Sequence, residues 1–162
     1  MKLRNMSRAR RWALALLSVL IVLTIVFILN NASDNSEQTY KKSDGVVAIL
    51  RNIIDPFGLL GDSTLSFLVR KAAHFSEYAL LGAELYAAVL LLEKKSITAV
   101  PFAVLLTAVI DETIQIYVGR TSSTVDVLID LCGGIAGILF TLLCALIASR
   151  IRKKRMEPAG RG

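Results

Sequence analysis

The stretch Val69–Gly82 reads VRKAAHFSEYALLG and begins an apolar segment that continues as AELYAAVLLL. Within it, Lys71, His74 and Glu77 recur at intervals of three residues, and this histidine is the only one in the chain. Residues three or four positions apart lie on the same face of a helix. The stretch therefore predicts an apolar helix with one ionisable face, which Glu84 extends.

Three further apolar segments make the chain too hydrophobic for an ordinary soluble domain. It has 162 residues, of which 54% are hydrophobic, and its mean hydropathy is +0.59. Each segment has roughly the 20 residues that a membrane-spanning helix needs. We predict an all-α protein, a four-helix transmembrane bundle, with spans at Trp12–Leu29, Leu65–Leu92, Ile97–Val118 and Val125–Ala148. The first segment lacks a signal-peptide cleavage pattern, so we interpret it as an uncleaved anchor.

The distribution of basic residues predicts the orientation. The tails at residues 1–11 and 150–162 hold 11 of the 19 lysines and arginines, and the short loop between spans two and three adds Lys94 and Lys95. The positive-inside rule then places both termini in the cytoplasm of a multi-pass protein. Basic tails beside membrane spans are explained by orientation and by anionic lipid, so we predict membrane lipids and no nucleic acid as partners.

Residues 30–66 are predicted to be extracytoplasmic. Their polar first part, NNASDNSEQTYKKSDG, is typical of a flexible tether. Apolar residues then recur at helical spacing over residues 44–57, which predicts a short amphipathic helix on the outer membrane surface. A loop packed on the helix ends fits the same pattern, and the sequence leaves both open. The bundle core is predicted to follow at residues 65–149.

Ionisable residues from three spans converge on the outer end of this bundle. Asp111 lies near the end of the third span, whereas Asp126 and Asp130 begin the fourth. An unpaired charge is costly inside a membrane, so these residues must face the bundle or a wet cavity. Gly133 and Gly137 follow as a GxxxG pair, which allows close helix contact.

These motifs resemble the VanZ-like family of small bacterial integral membrane proteins. Its pattern runs from Lys-x-x-His-x-x-Glu-Tyr and Leu-Gly to Asp-Glu-x-x-Gln. An Arg follows, then an Asp with Asn or Asp four residues on, and then spaced glycines. The matching residues are Lys71, His74, Glu77, Tyr78, Leu81, Gly82, Asp111, Glu112, Gln115, Arg120, Asp126, Asp130, Gly133 and Gly137. The resemblance implies a protein of the bacterial cell membrane, in a family named for resistance to the glycopeptide teicoplanin. It attaches no reaction to the chain.

The polar residues permit three interpretations. As an enzyme site, the acid–base residues would be His74, Glu77, Asp111, Glu112 and Asp130. As a site that acts on or only binds a cell-envelope lipid, a lipid-linked precursor or an amphiphilic antibiotic, the contacts would be Lys71, Tyr78, Gln115, Arg120 and Asp126. As a scaffold, the charges would pair as Lys71–Glu77, His74–Asp130 and Arg120–Asp126.

The sequence names no cofactor, and we assign no metal ligand. The carboxylates with His74 form a mostly oxygen set, which would suit Mg²⁺, Ca²⁺ or Mn²⁺ better than zinc. Cys132 and Cys144 lie about 18 Å apart if they share one helix. They cannot form a disulfide with each other in that helix, and we expect both to be small core residues.

Overall fold

The computed structural model describes residues 6–34, 36–55, 59–93 and 98–156, and the regular elements in those ranges are all α-helices. The predicted all-α class is confirmed. The loop lysines Lys94 and Lys95 lie outside the described residues. The helices are α1 (Arg8–Ala32), α2 (Ser36–Ile54), α3 (Asp62–Leu91), α4 (Ala99–Tyr117) and α5 (Thr124–Met156).

Three of these helices, α1, α4 and α5, are long and apolar enough to cross a membrane. Helix α3 has 30 residues but does not reach the same apolarity, because its charged and polar side chains lower its hydropathy. The predicted count of four spans therefore stays a prediction. Helix α3 is nevertheless the centre of the fold, since it contacts α1, α2, α4 and α5.

The tightest packing joins α3 to α5 through glycines. A β-carbon at Gly82 would lie within 3 Å of the backbone of Gly134, and one at Gly137 would stand 2.8 Å from the carbonyl carbon of Ala79. Gly133 approaches the carbonyl group of Phe75 in the same way. The predicted close contact at the GxxxG pair is confirmed. Because the two backbones touch, side chains near the start of both helices meet directly.

Helix α1 runs antiparallel to α3, and contacts with α3 and the residues just after it hold both ends of α1 in place. At its start, the Arg10 guanidinium donates to the carbonyl oxygen of Leu91 at 2.6 Å and to Glu93 at 2.5 Å. Its last turns therefore lie beside the middle of α3, where Ile28 is buried in the same core cluster as Tyr78. This arrangement brings the end of α1 to the end of the bundle that holds His74, Glu77 and Asp111, which we call its polar end.

The prediction of a flexible tether after the first span is wrong. Helix α1 continues to Ala32 and α2 already begins at Ser36, so this polar stretch is largely helical. An i, i+4 ion pair at 2.7 Å between Lys41 and Glu37, and an ion pair between Lys42 and Asp34, stabilise the turn and the first part of α2.

Of the two interpretations for residues 44–57, the structure forms the helix rather than a loop over residues 44–54. Val47 of this segment is buried, whereas Val46 and Ile49 are exposed. Residues 56–58 lie outside the described residues. The expectation that Cys132 and Cys144 are core residues is wrong, because both side chains are exposed on α5.

Candidate functional site

A buried carboxylate, Asp111 of α4, is held in place by two neutral donors. The Tyr78 hydroxyl group donates to Asp111 Oδ2 at 3.0 Å, and Gln115 Nε2 donates to Oδ1 at 3.0 Å. All three side chains are buried. Gln115 follows Asp111 by one helical turn, while Tyr78 reaches across from α3. The carboxylate is thus fixed from both sides by neutral donors, and no lysine or arginine of the described residues donates a hydrogen bond to it.

His74 lies between this carboxylate and a second one on α5. Its Nδ1 atom is 3.7 Å from Asp111 Oδ2 and 3.7 Å from Asp130 Oδ1. Both separations are too long for hydrogen bonds. Neither Nδ1 of His74 nor either oxygen of Asp130 has a hydrogen-bond partner among the described residues, although all three atoms are buried.

The cationic residues lie around the mouth of this cluster. Lys71 forms an ion pair with Asp126, so the start of α3 is bonded to the start of α5. Arg120, in the connection after α4, donates to the backbone carbonyl oxygen of Asn31 at 3.4 Å. Glu112 accepts the backbone N–H of Ser123 at 3.3 Å, which fixes the turn that leads into α5.

Helices α1 and α2 add residues that the sequence did not reveal. Asn31 Nδ2 donates to Glu77 Oε1 at 3.1 Å, and Lys42 donates to Asn31 Oδ1 at 3.4 Å. Asn31 is thus the link between α2, Glu77 and Arg120. In the sequence it is one polar residue at the end of an apolar segment, a pattern that indicates the membrane interface and gives no sign of such contacts.

Two cavities open beside His74. The larger has a volume of about 380 Å³, and we call it the cationic cavity; its lining includes Phe67, Arg70, Lys71, His74, Gln115, Arg120, Ser123, Asp126 and Ile129. The smaller has a volume of about 160 Å³ and is lined from α1, α2 and α3, including by Asn31, Lys42 and Glu77. His74, Arg70 and Arg120 line both cavities.

The ten site residues predicted from the sequence all lie at this one end of the bundle. Two of the three predicted scaffold pairs, Lys71–Glu77 and Arg120–Asp126, are wrong. Lys71 pairs with Asp126 rather than with Glu77, and Glu77 instead accepts from Asn31. His74 and Asp130 do approach each other, at 3.7 Å. Glu84 lies apart from the cluster and accepts from Thr24 of α1 at 3.1 Å.

Chemically, the cluster offers proton carriers and ligand atoms. An imidazole beside two carboxylates is suited to acid–base chemistry or to cation binding. The serine closest to His74 in sequence, Ser76, is exposed and donates to the Ala72 carbonyl oxygen at 2.7 Å, so it is not placed as a nucleophile. The roles assigned to the individual residues stay predictions.

Fold and site together define a helical membrane protein with a buried polar cluster at one end. A family model described as VanZ/LLP1 matches residues 14–146, and the chain belongs to this family. The matched range begins within α1, so it includes most of α1 and all of α2 as well as the motif-bearing parts of the other three helices. No curated protein and no solved structure matches the chain.

Proposed function

We propose that this protein binds the anionic head group of a cell-envelope lipid or amphiphile at the polar end of its bundle. The observation that carries the proposal is the charge of the cationic cavity. Among the described residues that line it, three are cations and Asp126 is the one carboxylate. An anion bound there would offset the excess positive charge.

The individual cations suit a phosphate or carboxylate group. Arg120 donates to a neutral backbone carbonyl group, so its charge is not cancelled by that bond. A guanidinium group presents several N–H donors in a fixed plane and binds phosphate in a bidentate manner. Lys71 is already paired with Asp126, so we expect it to supply a weaker, longer-range attraction.

The surroundings of the cavity favour a lipid over a soluble anion. Phe67 and Val125 line it and are largely exposed on the apolar outside of the bundle, and Ile129 adds a third apolar side chain. A lipid can place its head group in the cavity and its chains along these side chains. A volume of about 380 Å³ lies at the lower end of the range for small-molecule sites, so it suits a head group better than a complete lipid-linked precursor.

The side of the membrane follows from the basic tails. If both termini are cytoplasmic, as the positive-inside rule predicts, the end that holds His74 and Arg120 faces outward in the bacterial cell membrane. A site there meets lipids of the outer leaflet, where glycopeptide antibiotics act on cell-wall precursors. Binding or modification of such a lipid would then alter sensitivity to teicoplanin-type compounds.

Acid–base chemistry on the bound molecule is the second candidate function. It is favoured by the position of His74, whose Nδ1 atom has a carboxylate oxygen 3.7 Å away on each of two helices. His74 would exchange the proton, and Asp111, Asp130, Glu77 and Glu112 would orient it or carry charge. The alternative remains a scaffold in which the same charges only hold the helices together.

Retention of lipid by the purified protein tests the proposal. The full chain, extracted from membranes that contain phosphatidylglycerol and phosphatidylethanolamine, is analysed by native mass spectrometry. We expect retention of the anionic lipid, and we expect Arg120→Gln to reduce it about tenfold or more, the loss of one charge-assisted bidentate contact. Lys41→Gln is the matched control, because Lys41 is exposed on α2 and pairs with Glu37. Equal retention by wild type and Arg120→Gln would contradict lipid binding in this cavity.

A further inference from the structure

Three ligand-type atoms from three helices meet next to the cationic cavity, at the point where His74 lines it. His74 of α3, Asp111 of α4 and Asp130 of α5 each offer one such atom, and these atoms lie within 4.8 Å of one another. The Nδ1 atom of His74 is 3.7 Å from an oxygen of each aspartate. No two of these residues are neighbours in sequence, so the packing of three helices creates the group.

These separations fit ligands of one metal ion. Two ligand atoms bonded to the same ion at about 2.1 Å stand about 3.0 Å apart at a right angle and about 4.2 Å apart when opposite. The observed 3.7 Å lies inside that interval, although it is too long for a hydrogen bond.

The bonding state of Asp130 is an independent indication of a ligand. Its side chain is only 1% exposed, yet neither carboxylate oxygen accepts a hydrogen bond from any described residue. The Nδ1 atom of His74, which is aimed at it, is equally without a hydrogen-bond partner in the described part of the chain. Buried carboxylates are normally paired, hydrogen-bonded or metal-bound because desolvation is costly. A divalent cation between them would give a partner to the His74 nitrogen and to the Asp130 carboxylate.

Asp111 accepts hydrogen bonds from neighbouring side chains, as the ligating residues of metal sites commonly do. Tyr78 and Gln115 both donate to this carboxylate at 3.0 Å and hold its orientation. Hydrogen bonds from such neighbouring residues fix the geometry of ligating side chains in metal sites. Asp111 would therefore bind an ion without a change of rotamer.

We propose that His74, Asp111 and Asp130 bind one divalent metal ion. One imidazole nitrogen with two carboxylate oxygens is a predominantly hard set, which favours Mn²⁺ or Mg²⁺ over zinc. The sequence alone assigns no metal ligand, because it does not show that the three helices bring these side chains together. The proposal goes beyond lipid binding and does not depend on it, because the ion would bind without any lipid in the cavity.

Electron paramagnetic resonance of bound Mn²⁺ tests the site directly. The purified full chain in detergent is stripped with EDTA, dialysed and titrated with MnCl₂. We expect loss of the free Mn²⁺ signal with a stoichiometry of one ion per chain. We also expect electron spin-echo modulation from a coordinated imidazole nitrogen. Because the chain has one histidine, that nitrogen can only be His74.

Variants then assign the carboxylates. Asp130→Asn should weaken Mn²⁺ binding about tenfold or more, and His74→Ala should remove the nitrogen modulation. Glu84→Gln is the matched control: Glu84 is a buried acid of α3 that accepts from Thr24, outside the cluster, and its variant should bind Mn²⁺ like wild type. Thermal unfolding in EDTA shows that each variant is folded. Absence of stoichiometric Mn²⁺ binding by the wild type, or undiminished affinity of a folded Asp130→Asn chain, would overturn the proposal.

Discussion

Substitution of Gly137 by alanine should separate the two helices that carry His74 and Asp130. A β-carbon there would overlap the carbonyl oxygen of Ala79, and it would stand 2.8 Å from the carbon of that carbonyl group and 2.9 Å from the amide nitrogen of Ala83, all backbone atoms of α3. Ordinary contacts of a carbon atom are about 3.5 Å or longer, so the contact with the carbonyl carbon alone requires α5 to move outward by roughly 0.7 Å, and the closer carbonyl oxygen requires more. Overpacking of this kind typically costs about 1–3 kcal/mol.

The expected result is a lower melting temperature in detergent. A loss of about 2 kcal/mol corresponds to a fall of about 4–8 °C for a chain of this size. Gly45→Ala is the control, because Gly45 also lies in a helix but has nothing within 4 Å of an added β-carbon. That variant should be as stable as wild type or slightly more stable, by about 0.5–1 kcal/mol. Equal melting temperatures for Gly137→Ala and wild type would refute direct backbone contact between α3 and α5.

Three further predictions follow from the same contacts. Glu84→Gln should keep lipid retention and membrane abundance, since the amide oxygen can still accept from Thr24; loss of retention at normal abundance would extend the site inward. Asn31→Ala should cost about 1–3 kcal/mol in thermal unfolding, because Glu77 loses a donor, whereas the exposed neighbour Asn30→Ala should cost little, and equal effects would count against the Asn31 contact. In a background without Cys132 and Cys144, a cysteine at Ser36 should react with an impermeant reagent in intact cells and one at Ser96 should not; the reverse pattern would place the site on the cytoplasmic side.

Much of the helical architecture could be predicted from the sequence because apolar length and helical spacing are local properties. At the polar end, the start of α3, the end of α4 and the start of α5 each lie within three residues of the predicted span boundary. Convergence of the ionisable residues could also be predicted, since antiparallel helices joined by short loops bring the end of α4 and the start of α5 together. The Lys71–Asp126 ion pair and the Tyr78–Asp111 hydrogen bond are instances.

The contributions of α1 and α2 could not be predicted, because they depend on how those helices pack. Asn31 bonds with Glu77 at a separation of 46 positions in the chain, and no local pattern encodes that contact. The sequence pattern predicts a later start for α2, because the first turns of this helix are polar. Ion pairs within and beside it, such as Lys41–Glu37, stabilise a helix that hydropathy alone does not indicate.

The grouping of three possible metal ligands could not be predicted from the sequence, and the reason is related. The sequence supplies His74, Asp111 and Asp130 but not the distances among side chains of three helices. It equally allowed a hydrogen-bonded scaffold in which each carboxylate has a donor. Only the packed structure distinguishes Asp111, which has two donors, from Asp130, which has none among the described residues.

The melting temperature of metal-free Asp130→Asn in EDTA, measured together with the Mn²⁺ affinity of the dialysed protein, decides between a metal site and a scaffold. If Asp130 is kept for ligand binding, its buried charge without a hydrogen-bond donor is a cost to the metal-free fold. We predict that the neutral variant then melts at the same temperature as wild type or higher, while its Mn²⁺ binding is weakened about tenfold or more. If Asp130 instead pairs with a protonated His74 to hold α5 against α3, removal of its charge leaves that imidazolium uncompensated. A destabilisation of about 3–5 kcal/mol, with binding lost only through unfolding, would contradict the ligand site.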